Sequence, residues 1–143
     1  PDDTLTKSEL DWDTASLPEG TYRIRVEATD EIANPPDRIT RHSLESGPVL
    51  VDNTAPVFRS LSATGRRIKA DIVDGLGPIV RIDFAVDGRT DFRPLGAADG
   101  ILDEATEQVD VDFAKIVSPG SHLIAVRAFD QAGNFVVRDV ELK

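Results

Sequence analysis

The sequence has no cysteine, no methionine, one tryptophan, one tyrosine and two histidines. Without thiols it forms no disulfide, no Cys-ligated zinc site and no thiol nucleophile, so stability must come from packing, and the redox compartment is left open. Aromatic residues make up 6% of the chain, too few to suggest a ligand groove. Basic residues are scarce as well: 16 Lys and Arg stand against 26 Asp and Glu, a formal charge of −10. That balance argues against nucleic acid and anionic membrane surfaces as partners and makes cations the plausible guests. Long apolar runs are absent, with segments such as Ile79-Val80 and Phe135-Val136-Val137 only two or three residues long, so neither a membrane span nor a signal peptide is expected. The start at Pro1 and the lack of Met read as a piece of a longer protein.

The motifs of catalysis are missing too. Neither His42 nor His122 lies near a Ser-Asp pattern that would suggest a triad. No nucleophile elbow, phosphate loop or metal-hydrolase His spacing occurs, and the expectation is that the protein is not an enzyme.

What the chain does contain is a repeat. Gly20-Thr21-Tyr22-Arg23-Ile24-Arg25-Val26-Glu27-Ala28-Thr29-Asp30, running on to Asn34, returns as Gly120-Ser121-His122-Leu123-Ile124-Ala125-Val126-Arg127-Ala128-Phe129-Asp130, running on to Asn134. In the first copy Tyr22, Ile24, Val26 and Ala28 alternate with Arg23, Arg25, Glu27 and Thr29, the period of a strand with one buried face. Leu10 to Thr14, with Trp12, reads as a short strand before the turn Leu17-Pro18-Glu19-Gly20, and residues 1–10 as a frayed end or weak edge. Asn34-Pro35-Pro36-Asp37 is a loop, because proline cannot donate to a ladder. Ile39 to Leu44 is the returning strand, broken by a bulge or kink at Ser46-Gly47-Pro48 before Val49-Leu50-Val51 resumes.

Asp52-Asn53-Thr54-Ala55-Pro56 reads as a boundary, giving domains 1–52 and 53–143. Beyond it, seven strand candidates follow, separated by turn residues: Val57–Ala63, Arg67–Val73, Ile79–Val86, Phe92–Leu95, Val109–Phe113, Leu123–Phe129 and Phe135–Leu142. Asp103 to Gln108 is read as a helical turn at most. An all-β fold follows, an immunoglobulin-like antiparallel β-sandwich. Matching the copies sets Trp12 against Phe113, with nothing before Trp12 to match the four strands preceding Phe113. Residues 1–52 therefore read as the last three strands of an incomplete sandwich. Their apolar face would need cover from the second domain or from a second copy in a homodimer, and strand addition at an edge is the contact expected.

Trp12, Pro18-Glu19-Gly20, the alternation from Tyr22 to Asp30, Asn34-Pro35 and Asp52-Asn53-Thr54-Ala55-Pro56 together resemble fibronectin type III and bacterial Ig-like tandem repeats. Val86-Asp87-Gly88, Asp99-Gly100-Ile101 and Asp130-Gln131-Ala132-Gly133-Asn134 resemble the Ig-like domain that follows such repeats in large bacterial envelope or secreted proteins. The resemblance implies an extracytoplasmic location and partners that are proteins or upstream domains of the same chain, β-propellers among them; a role as accessory to an upstream catalytic or propeller domain is a third possibility. It also implies a tyrosine corner, in which a Tyr opening the penultimate strand donates to nearby backbone. Tyr22 fits that position and His122 departs from it.

Two ligand readings remain. Asp52 and Asn53, with Asp130 and Asn134 or Asp30 and Asn34, offer hard oxygens suited to calcium, and cadherin-like linkers have a similar Asp-Asn-x-x-Pro boundary. The same residues are good turn formers, and that reading is preferred, with no cofactor required. The acidic stretch Asp99, Asp103, Glu104 and Glu107 is a weaker calcium candidate, read as a solvated loop because it lacks calcium-loop spacing. Trp12 could serve as a sugar-stacking platform, although its match to Phe113 favours packing. The expected function is a non-catalytic module for spacing, display or protein contact, the alternative being carbohydrate- or calcium-dependent adhesion.

Overall fold

The computed structural model describes residues 9–143, so most of the polar first ten lies outside the described residues. The chain divides into two compact units, one ending at Val51 and the other starting at Asp52. Described elements are all strands apart from one 3-10 turn, and no described helix is long and apolar enough to cross a membrane.

Among its described residues the first unit holds four short strands, β1 (Gly20–Tyr22), β2 (Arg25–Thr29), β3 (Arg41–Glu45) and β4 (Val49–Val51). β1 pairs with β4 and β2 with β3, both antiparallel. The strand expected to run unbroken through Tyr22 and Thr29 is thus divided. Its partner is the cause: Arg25 faces Glu45 and Tyr22 faces Val49, so Arg23 and Ile24 stand opposite Ser46, Gly47 and Pro48. The bulge or kink expected at Gly47 is seen as an interruption of both pairings. Across it the Ile24 N–H donates to Ser46 Oγ at 3.0 Å and the Ser46 N–H to the Ile24 carbonyl at 2.8 Å. Two further expectations fail. All of β2 is exposed, so its alternation marks no buried face. No strand forms at Leu10–Thr14; Trp12 is half-buried and meets Tyr22 edge-on, with ring centroids 6.4 Å apart.

The second unit contains the seven strands anticipated there. They are β5 (Val57–Thr64), β6 (Arg67–Val73), β7 (Ile79–Val86), β8 (Arg93–Leu95), β9 (Thr106–Asp112), β10 (His122–Asp130) and β11 (Phe135–Leu142). A three-stranded antiparallel sheet in the order β5-β6-β9 and a four-stranded one in the order β11-β10-β7-β8 share a single apolar core. The architecture is sandwich-like. β6 buries Ile68, Ala70 and Ile72, β10 buries Ile124, Val126 and Ala128, and β7 adds Ile79, Ile82, Phe84 and Val86. Each fully buried aliphatic side chain contributes about 1.5–3 kcal/mol, which is why these three strands define the unit.

Phe113, expected to end a strand, instead opens the 3-10 turn Phe113–Lys115. The Asp112 carboxylate caps that turn by accepting from the Ala114 N–H, and Phe113 packs edge-on to Phe84 at 4.9 Å. The helical turn expected over Asp103–Gln108 does not form, since β9 begins at Thr106. Asp87 and Gly88 both take positive φ, 54° and 71°, at the tight turn leaving β7, the geometry an Asp-Gly pair favours.

Candidate metal centre

The inward face of β6 is set by Ile68, Ala70 and Ile72, and one more step of two lands on Asp74, just past the strand end. The inward face of β10, from Ile124 through Val126 and Ala128, ends the same way on Asp130. Each strand therefore carries its buried register one residue type too far, placing a carboxylate where the apolar core stops. Asp52, ahead of β5, joins them: carboxylate oxygens of Asp52, Asp74 and Asp130 all lie within 4.8 Å of one another. The three residues are 8%, 6% and 1% exposed.

Loop bonds hold each carboxylate in place. Asp74 Oδ1 accepts from the backbone N–H groups of Leu76 at 2.9 Å and Gly77 at 2.8 Å. Asp130 Oδ1 accepts from Gly133 at 2.7 Å and Asn134 at 2.9 Å. Asp52 Oδ1 accepts from the Thr54 N–H at 3.1 Å. The Asn134 side-chain amide ties the parts together, its Nδ2 donating to Asp130 Oδ2 at 2.8 Å and to the Asp52 carbonyl at 2.9 Å. Asn134 thus presents its nitrogen to these oxygens, while Asn53 is exposed.

One atom is not accounted for by turn formation. Asp74 Oδ2 is buried and has no hydrogen-bond partner among the described residues. Neither Asp74 nor Asp130 has a Lys or Arg partner among the described residues. Two carboxylate charges 4.8 Å apart repel by about 3.5 kcal/mol at an effective dielectric near 20. The donor set is all carboxylate, the chemistry of a hard divalent cation and not of zinc or copper.

The other candidates are placed differently. Asp30 Oδ1 accepts from the Thr40 N–H at 2.7 Å and Asn34 Nδ2 donates to the Asp30 carbonyl at 3.3 Å, a loop clasp in the first unit. Of the acidic stretch, Asp99 caps its own turn by accepting from the Ile101 N–H. Glu107 is no part of a solvated loop: it is 3% exposed, and its Oε1 takes the N–H groups of Asp103 and Glu104 at 2.9 Å each. An open groove is lined here by Ala98, Asp99, Glu104, Thr106, Glu107 and Gln108.

Residue spacing also failed to reveal a Ser-His-Asp grouping. His122 Nδ1 lies 2.9 Å from Asp87 Oδ2, and Nε2 lies 3.0 Å from the Ser118 carbonyl and 3.3 Å from Ser118 Oγ. The pairing holds the Asp87 carboxyl below the usual carboxylate range, chiefly through the His122 hydrogen bond and then through the Leu123 N–H. On the outer face of β7 and β10, Arg127 forms a two-pronged bond to Asp83 at 2.8 and 2.9 Å. Arg81 and Arg127 lie 3.6 and 4.8 Å from the Phe129 ring centre, so guanidinium groups cover that aromatic. No protein-family model matches the chain, and no curated protein is significantly similar to it.

Proposed function

We propose that this chain is a non-catalytic structural or interaction module of a larger extracytoplasmic bacterial protein, serving spacing, display or protein contact. Residues 53–143 would be a complete Ig-like sandwich and residues 1–52 the end of a fibronectin type III-like one. The strand path supports the Ig-like part: β5 and β6 lie in one sheet, β7 and β8 in the other, β9 returns to the first, and β10 and β11 close the second. The outward apolar side chains of the first unit, Val26 and Leu44 among them, suit contact with a protein surface or a second copy.

The observation that carries the non-catalytic reading is how His122 is used. His122 Nδ1 faces the Asp87 carboxylate, and Nε2 lies nearer to the Ser118 carbonyl, at 3.0 Å, than to Ser118 Oγ, at 3.3 Å, so the ring bridges two turns and is not aimed at the hydroxyl alone. Its bond to the carbonyl four residues upstream matches that of Tyr22 Oη to Pro18, at 2.6 Å. The direct test is hydrolysis of activated esters by the wild type and by Ser118→Ala. Equal, background rates are expected; hydrolysis that depends on Ser118 would overturn the reading.

A second reading, a cation-dependent adhesion module, is favoured by the Asp52, Asp74 and Asp130 cluster. The carbohydrate version has less support, because Trp12 is half-buried against Tyr22 and the Phe129 ring is covered by arginine.

A further inference from the structure

We infer that Asp52, Asp74 and Asp130 form a binding site for a divalent cation of calcium's size at one end of the second unit's core. Three features converge on it. The carboxylates come from the ends of strands in both sheets, Asp74 after β6 and Asp130 at the end of β10, joined by Asp52 from the segment entering β5. All three are more than nine-tenths buried. Finally, Asp74 Oδ2 is buried without a hydrogen-bond partner among the described residues, although Oδ1 of the same group is fully engaged by Leu76 and Gly77. A buried anionic oxygen that has given up water needs a compensating charge.

The oxygens lie within 4.8 Å of one another, a span that two metal–oxygen bonds of about 2.4 Å, the calcium distance, can bridge. Histidine and cysteine are absent from the cluster, which removes the preference for softer metals. The Gly77 backbone runs beside Asp52, where an added Cβ would sit 3.7 Å from Asp52 Oδ2. The loop after β6 thus closes over the site, and an ion there would pin the entry to β5 against the ends of β6 and β10. The turn bonds of Asp74 use Oδ1 and leave Oδ2 for the ion, while both Asp130 oxygens accept hydrogen bonds and would share their remaining lone pairs with it.

The test uses the full chain, freed of metal with EDTA and then melted across a calcium chloride series. Calcium a hundredfold above Kd should raise Tm on the order of 10 °C. Isothermal titration should show one site per chain, with a Kd on the order of 10⁻⁴ to 10⁻³ M, the range of extracellular calcium modules. Asp74→Asn keeps the acceptor for Leu76 and Gly77 and removes one charge. It should melt above the wild type in EDTA and below it in saturating calcium, with calcium affinity reduced at least about tenfold. Asp99→Asn, in the separate acidic groove, should respond as the wild type does. The inference is overturned by an unchanged wild-type Tm and no binding heat up to about 10 mM calcium, by an undiminished response of Asp74→Asn, or by a response lost with Asp99→Asn.

Discussion

His122 does for the second unit what Tyr22 does for the first: each side chain reaches back to the carbonyl four residues upstream, Ser118 at 3.0 Å and Pro18 at 2.6 Å. The corner contact is therefore kept although the tyrosine is not. The imidazole's second nitrogen adds something a phenol cannot, a link to Asp87 in the turn leaving β7.

Replacing His122 separates these two contributions. His122→Tyr should retain the Ser118 bond and lose the Asp87 link, while His122→Phe should lose both. The phenylalanine variant is expected to be less stable than the tyrosine variant by about 1 kcal/mol in urea denaturation, the usual net worth of one hydrogen bond.

The Asp87 link should also be visible in acid. Its carboxyl is held below the usual range, first by the His122 hydrogen bond and then by the Leu123 N–H. A carboxyl with a lowered folded-state value contributes stability above its unfolded value, about 3.9, and loses it as pH falls through the lowered folded value. Stability measured from neutral pH down to strongly acidic conditions should therefore fall more steeply in that acid window for the wild type than for Asp87→Asn. Parallel curves would remove the link from the account.

Arg127 and Asp83 make the strongest test of the outer face. Asp83 is 6% exposed and takes two bonds from Arg127, with Arg81 a more distant partner at 3.6 Å. Arg127→Met leaves the carboxylate buried with only that weaker partner and should cost about 2–3 kcal/mol. Adding Asp83→Asn should restore part of the loss, which a double-mutant cycle in chemical denaturation will measure. Strict additivity would mean that the pair is not coupled.

Much of the second unit was legible in the sequence because its strands obey one rule. Ile68-Ala70-Ile72 and Ile124-Val126-Ala128 alternate and bury the face they advertise. The first unit carries the same alternation at Val26 and Ala28 yet buries neither, since periodicity states which side chains share a face and not whether another sheet lies over it. The division of β1 from β2 follows from Pro48 and its neighbours on the opposing strand, which the run of Tyr22 to Thr29 could not reveal. At the candidate site, Asp52 and Asp130 were legible as oxygen donors, Asp74 was not, and Asn134 proved to be a donor of hydrogen bonds. The signal for Asp74 was present all the same: it continues the parity of Ile68, Ala70 and Ile72, as Asp130 continues that of Ile124, Val126 and Ala128. It was hidden because an Asp before Gly75 reads first as a turn residue.

The Asn134 amide gives this end of the fold a chemical lifetime. One side-chain nitrogen reaches the Asp52 carbonyl and the Asp130 carboxylate, positions far apart in the chain. Deamidation would exchange that donor for a carboxylate, turning two attractions into repulsions and adding a further negative charge beside Asp130. A single hydrolysis, with no change in chain length and almost none in mass, would loosen the segment before β5 from the turn between β10 and β11, so the ageing of one amide would be felt in the packing of both sheets.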